Sequence, residues 1–176
     1  MWNLDGSQDE SYRYKAPKPI VKVGGRGNGI YTELTNIDEI ALCISHPKEI
    51  ICKYIAGVSG SNYIAGKNTL TGTYNSEDIQ SILQTYTKGV VLCPVCNIPE
   101  TIPELEKQNL IFKCYSCKSN SIIKPVGKID KALNTIEKYL KAGKKWEIKK
   151  GNMVIMKEVK EVKEKELIDD SFNPFD

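Results

Sequence analysis

Four cysteines stand in the pattern Cys93-x2-Cys96-x17-Cys114-x2-Cys117. Each Cys-x2-Cys pair turns two thiolates inward from one tight knuckle, and two facing knuckles complete a tetrahedron around a metal such as zinc. With cysteine at all four positions no coordination site is left for water, so the single Zn2+ expected here is structural, not catalytic. A disulfide pair or a redox Cys-x2-Cys is the competing chemistry, disfavoured in an intracellular chain. Cys43 and Cys52 lack the spacing and read as ordinary buried thiols.

Arginine offers a second kind of chemistry. Of 25 basic residues only Arg13 and Arg26 are arginine. In so lysine-rich a chain, the planar, permanently charged guanidinium is expected where an ammonium would not serve. Within residues 12–26, Arg13, Lys15, Lys18, Lys22 and Arg26 meet no acid, while Asp5, Asp9 and Glu10 precede them with no base. Such a block expects phosphate or another acidic partner, with a solvated arm as the alternative. The single histidine, His46, lies beside Pro47 with no patterned nucleophile or carboxylate pair. An active site of the chain's own is therefore not expected.

The elements that must position these groups follow from periodicity and turn chemistry. Residues 1–19 are poor in aliphatics and carry Pro17 and Pro19, which predicts a flexible basic N-terminal arm. Residues 20–23 and 30–35 read as strands joined by a glycine-rich tip in which Asn28-Gly29 makes the turn. Ile37, Ile40, Ala41 and Ile44 predict a short helix ending before Pro47, residues 52–58 a strand, and residues 59–72 a second hairpin. Ser76 is expected to cap a helix whose stripe is Ile79, Ile82, Leu83 and Tyr86. In the cysteine region, residues 110–112 read as a strand, and Ile122 with Ile123 as a third strand of a ribbon. Ile129, Leu133, Ile136 and Leu140 then form a helix closed by Gly143.

The predicted fold class is α+β: a small, mainly antiparallel sheet with two helices, then a zinc ribbon and a C-terminal helix. The boundaries are 1–19 for the arm, 20–89 for the α/β domain, 90–126 for the ribbon and 127–143 for the helix. Residues 144–176 read as a largely disordered charged tail. No apolar run approaches the ~20 residues of a membrane span. The polar, acidic first ten residues are unlike a secretory or transit signal. A cytoplasmic protein with no membrane partner is expected.

Tyr12-Arg13-Tyr14-Lys15, the strand at 20–23, Gly25-Arg26-Gly27-Asn28-Gly29-Ile30 and Val91-Leu92-Cys93-Pro94-x-Cys96 occur in this order. The chain thereby resembles, over about residues 11–142, the N-terminal domain shared by eukaryotic translation initiation factor 5 and the beta subunit of initiation factor 2. The resemblance implies a protein that stimulates GTP hydrolysis by the gamma subunit of initiation factor 2 and takes part in start-codon selection. Its partners would be that subunit with GTP, initiator methionyl-tRNA, the small ribosomal subunit with mRNA, and the beta subunit.

By the same resemblance Arg13 is the essential arginine, inserted in trans, and Lys53 matches a supporting lysine. Tyr31 stands where the family usually has another lysine. Contacts to tRNA would come from Lys22, Gly25, Arg26, Gly27 and Asn28 on the first hairpin and Lys67 on the second. Factor 5 normally continues into a helical-repeat domain for which the sequence leaves no room. Recruitment would then rest on the N-terminal part or on the acidic-aromatic end with Asp169, Asp170, Phe172 and Phe175. A beta-subunit-like scaffold and a zinc-ribbon nucleic-acid binder without activator activity remain the alternatives.

Overall fold

In the computed structural model, which describes residues 1–150 and 153–156, the N-terminal segment is folded onto the body and is not the loose arm expected. Trp2–Asn3 (β1) pairs antiparallel with Lys15–Ala16 (β2). Trp2, Leu4 and Ala16 enter the core, and the Trp2 indole N–H donates to the Pro17 carbonyl at 3.1 Å. Burying Trp2 and Leu4 is worth roughly 1.5–3 kcal/mol for each side chain. That offsets part of the backbone ordering cost, about 1–2 kcal/mol per residue, with the β1–β2 pairing and the Trp2 hydrogen bond adding to it.

Val21–Gly24 (β3) and Tyr31–Leu34 (β4) form the first hairpin, with Val21 opposite Leu34 and Gly24 opposite Tyr31. Its tip differs from the expected Asn28-Gly29 turn. Positive φ falls at Gly25 and Gly27, and residues 27–29 make one 3-10 turn. A Cβ on Gly25 would stand 2.1 Å from the Gly29 carbonyl oxygen, so the loop closes only with glycine there.

Ile37–Ile44 (α1) ends at Ser45 in the left-handed conformation (φ 61°). Lys48–Ser59 (α2) is a helix where a strand was expected over 52–58. The alternation of Tyr54, Ala56 and Val58 is overridden by Ile50, Ile51, Tyr54 and Ile55, which recur at helical spacing and are fully buried. Tyr63–Ile64 (β5) and Thr69–Thr71 (β6) form the second hairpin. The antiparallel sheet has the order β3-β4-β6-β5.

Ser76–Tyr86 (α3) is capped by Asn75, not by Ser76. The Asn75 side chain accepts the Asp78 N–H at 2.8 Å, and the Asp78 carboxylate accepts the Asn75 N–H at 3.4 Å. Ser76 instead donates its hydroxyl to the Pro19 carbonyl. A wide turn over residues 87–91 closes with Leu92 N–H on the Thr87 carbonyl at 2.9 Å and delivers the chain to Cys93.

The ribbon consists of Thr101–Glu106 (β7), Asn109–Cys114 (β8) and Asn120–Ser121 (β9), in that order and antiparallel. Its third strand precedes the expected Ile122–Ile123; Ile122 is exposed and lies outside the pairing. Lys128–Lys141 (α4) buries Ala132, Leu133 and Ile136 and packs on α2, α3 and β7. Glu147–Lys150 (β10) and Met153–Met156 (β11) pair as a hairpin within the segment expected to be disordered. The acidic-aromatic end lies outside the described residues. The fold class is α+β with antiparallel sheets, as expected, but three helices precede the ribbon instead of two. Among the described residues no helix is long and apolar enough to cross a membrane.

Candidate functional site

The two cysteine knuckles repeat one backbone design. Cys93 and Cys114 each receive an N–H on their carbonyl, from Asn97 at 2.9 Å and Lys118 at 3.0 Å. Their own N–H groups reach the carbonyls of Ile98 and Ser119 at 3.0 and 2.9 Å. Asn97 and Lys118, each next after the second cysteine of its knuckle, take positive φ of 58° and 62°. This turn swings both sulfurs of a knuckle to one side. All four Sγ atoms lie within 4.8 Å of one another. The Cys93–Cys117 and Cys96–Cys114 separations are 3.7 and 3.6 Å.

Those separations are well beyond the roughly 2.05 Å of a disulfide. They match the edge of about 3.8 Å for a tetrahedron of thiolates ~2.3 Å from a central zinc. The donor set therefore fits a metal ion. Burial opposes ionisation of Cys93, but hydrogen bonds from Ser119 and from the Cys96 and Val95 N–H groups outweigh it and hold the thiol down to about 6. Ser119 likewise lowers Cys117, whereas burial raises Cys96 and Cys114. Four sulfurs this close ionise together only around a cation.

Arg13 lies on a loop tied at its base. Leu4 N–H donates to the Tyr14 carbonyl at 3.0 Å, and the Asn3 amide reaches the Asp9 carbonyl at 2.7 Å. The Arg13 side chain is exposed, with its guanidinium carbon 5.9 Å from the Tyr14 ring centroid. Tyr12 meets Tyr14 edge-on at 6.0 Å. The Tyr14 hydroxyl donates to Glu100 Oε1 at 2.7 Å. Glu100 also accepts the Tyr115 N–H of the second knuckle on its carbonyl, at 2.9 Å. The aromatic beside Arg13 is thus anchored to the metal module. That hydrogen bond raises the Tyr14 phenol, while burial pushes the Tyr12 phenol up to about 12.

Lys53 lies on α2, its ammonium 2.6 Å from Glu49. Glu49 also holds Lys144 at 2.7 Å, and hydrogen bonds from Lys144 and Lys53 keep its carboxyl below the usual range. The residues sharing this hollow, Thr135, Lys138, Tyr139 and Lys144, belong to α4 and the chain beyond it. The structure therefore surrounds Lys53 with α2 and α4 and not with the Arg13 loop.

Lys22, Gly25, Arg26, Gly27 and Asn28 are exposed on the first hairpin, and Lys67 on the tip of the second. Glu33 faces Thr69, while Tyr31 faces Thr71, so the two tips project from opposite ends of the sheet. Strands this short leave them about 10–13 Å of strand apart. Two features lie beyond what the motifs reveal. Glu100 contacts Tyr14 across 86 positions, with no local pattern to signal it. A hollow of about 500 Å³ between the hairpins includes Tyr31 and Glu33, which alternation along β4 places on one face.

An α+β domain with an arginine-bearing loop seated against a four-cysteine ribbon is the architectural class defined by this geometry. The chain belongs to the family of domains found in initiation factors 2B and 5, whose sequence profile matches residues 5–120. It is similar to eukaryotic translation initiation factor 5 of Caenorhabditis elegans, 37% identical over 113 residues, or 62% of this chain and 26% of that protein. It is also similar to probable eukaryotic translation initiation factor 5-2 of Arabidopsis thaliana, 33% identical over 168 residues, or 92% of this chain and 37% of that protein. With factor 5 of Mus musculus it shares 32% identity over 120 residues, or 62% of this chain and 27% of the relative. The chain thus spans 26 to 37% of the length of these relatives.

Proposed function

We propose that this chain is an initiation-factor-5-like activator. It stimulates GTP hydrolysis by the gamma subunit of initiation factor 2 in the cytoplasmic preinitiation complex and takes part in start-codon selection. The observation that carries this reading is the state of Arg13: exposed, in no ion pair among the described residues, and flanked by aromatic rings that fix its base. A guanidinium so held out offsets charge that develops on a transferring phosphoryl group of a neighbouring protein. Lys53 supports the reaction by exchanging Glu49 for the partner. Lys22, Arg26 and Lys67 contact initiator methionyl-tRNA phosphates on the small subunit, and Gly25, Gly27 and Asn28 allow close backbone approach. Zn2+ on Cys93, Cys96, Cys114 and Cys117 supplies no chemistry beyond crosslinking the two knuckles. The beta subunit and mRNA complete the set of neighbours.

The test is single-turnover GTP hydrolysis in a ternary complex on small ribosomal subunits. Arg13→Ala and Arg13→Lys are expected to lose most of an acceleration that reaches about 10³–10⁵ in other GTPases, with binding retained. Equal rates for all three proteins overturn the assignment. Firm binding without acceleration by the wild type identifies the beta-subunit-like scaffold, to which Tyr31 in place of the family lysine lends weight.

A further inference from the structure

The outer face of the four-stranded sheet holds a hollow that the activator chemistry leaves unused. Strand register sets Lys22 opposite Glu33, Glu33 opposite Thr69, and Thr69 opposite Ile64. Tyr31, Glu33, Ile64, Lys67, Asn68 and Thr69 line the space. Tyr31 is 40% exposed and Ile64 46%, a large apolar exposure for one short sheet. The Tyr31 ring lies across Gly24, where a Cβ would stand 2.7 Å from its Cζ and hydroxyl oxygen. Glycine at that position lets the ring rest on the neighbouring strand. Glu33 is half-buried and, among the described residues, pairs with no cation.

These parts select a ligand chemistry. An exposed ring stacks a planar base, and an unstacked base is what single-stranded RNA offers. Lys22 and Lys67, exposed on either side, suit the flanking phosphates. An ionised carboxylate only accepts, so Glu33 discriminates among bases by their donors. Adenine and cytosine each place an amine beside a ring nitrogen whose lone pair repels the carboxylate. Uracil places its one N–H between two carbonyls. Guanine alone presents two adjacent N–H groups, from N1 and N2, to the two carboxylate oxygens.

We propose that this hollow binds one unstacked guanine of single-stranded RNA, stacked on Tyr31 and held at its Watson–Crick edge by Glu33, with Lys22 and Lys67 on the adjoining phosphates. The inference rests on the RNA contact made by the hairpins in the function proposed above, and it adds Tyr31, Glu33 and Ile64 and a base preference. The test is fluorescence anisotropy of the full zinc-loaded chain with end-labelled pentanucleotides UUGUU, UUAUU and UUUUU. Wild type is expected to bind the guanine oligonucleotide about tenfold more tightly than the other two. Glu33→Gln and Tyr31→Ala should remove the preference, Tyr31→Phe should keep it, and Lys67→Ala should weaken all three alike. Far-ultraviolet circular dichroism of each variant confirms that the fold is retained.

Equal affinities in wild type, or a guanine preference that survives Glu33→Gln, overturn the inference. So does free GMP competing as well as the pentanucleotide, since the pocket would then belong to a nucleotide and not to an RNA chain. None of these readings requires the GTPase. Loss of guanine preference with Arg13-dependent hydrolysis intact removes only this site, and the converse removes only the activator.

Discussion

The Arg13 guanidinium has no carboxylate to hold it among the described residues. Its central carbon lies 5.9 Å from the centre of the ring next to it in sequence, and that ring is fixed at its far end by the Tyr14–Glu100 hydrogen bond of 2.7 Å. Tyr14→Phe keeps the ring and deletes only the hydroxyl. If Arg13 acts in trans as proposed, a hydrogen bond to a carboxylate, worth roughly 1.5–3 kcal/mol, caps the loss, and the variant should slow single-turnover GTP hydrolysis by up to about tenfold to a hundredfold. Affinity for the gamma subunit, measured separately, should stay unchanged. An unaltered rate would show that the loop is positioned from elsewhere. Scarcity of arginine singles out Arg13 and Arg26 in the sequence, and only the family resemblance separates the two. The anchor of Arg13 is not legible there, because Tyr14 and Glu100 meet only once the ribbon has folded back on the domain.

Elements differ in legibility for reasons that the residues explain. The knuckles and the first hairpin are encoded within a few positions, by Cys-x2-Cys spacing and by glycines. Residues 52–58 read as a strand because Tyr54, Ala56 and Val58 alternate, while Ile50, Ile51, Tyr54 and Ile55, buried at helical spacing, decide for α2. The N-terminal pair β1–β2 has no local signal because Trp2 and Leu4 find their partners in distant parts of the core. At α3 the cap expected at Ser76 falls one residue earlier, on Asn75, and Ser76 is drawn to the Pro19 carbonyl instead. Asn75→Ala removes the side-chain acceptor for the Asp78 N–H and should cost about 1 kcal/mol. Urea denaturation checks this as a lower midpoint with an unchanged slope. A variant as stable as wild type would mean that the helix start is held by Ser76 and Pro19 instead.

At the scale of the molecule, the ribbon and the α/β domain share a root but not a source of stability. Thr101 donates its hydroxyl to the Val91 carbonyl at 2.8 Å, and Gly89 meets Ile129 so closely that a Cβ would stand 2.0 Å from its Cδ1. Val90, Val91 and Phe112 join the main core, whereas the knuckles carry exposed Val95 and Tyr115. A module this small would rely on a metal held by its four cysteines, and a structural zinc supplies about 10–16 kcal/mol of binding energy. That is comparable to the whole stability of an ordinary domain, about 5–15 kcal/mol, so the knuckles should not outlast its removal. Chelation is therefore expected to release zinc and strip amide protection from residues 93–121, while α2 and α3 keep theirs in hydrogen exchange. Glu100 would then lose its fixed backbone, and Tyr14 its anchor. Under the proposed activator role, GTPase stimulation should then fall even though Arg13 is chemically intact, and return when zinc is restored. If chelation unfolded α2 together with the ribbon, the two would be one cooperative unit. If stimulation survived a melted ribbon, the path from metal through Glu100 and Tyr14 to Arg13 would carry no positioning.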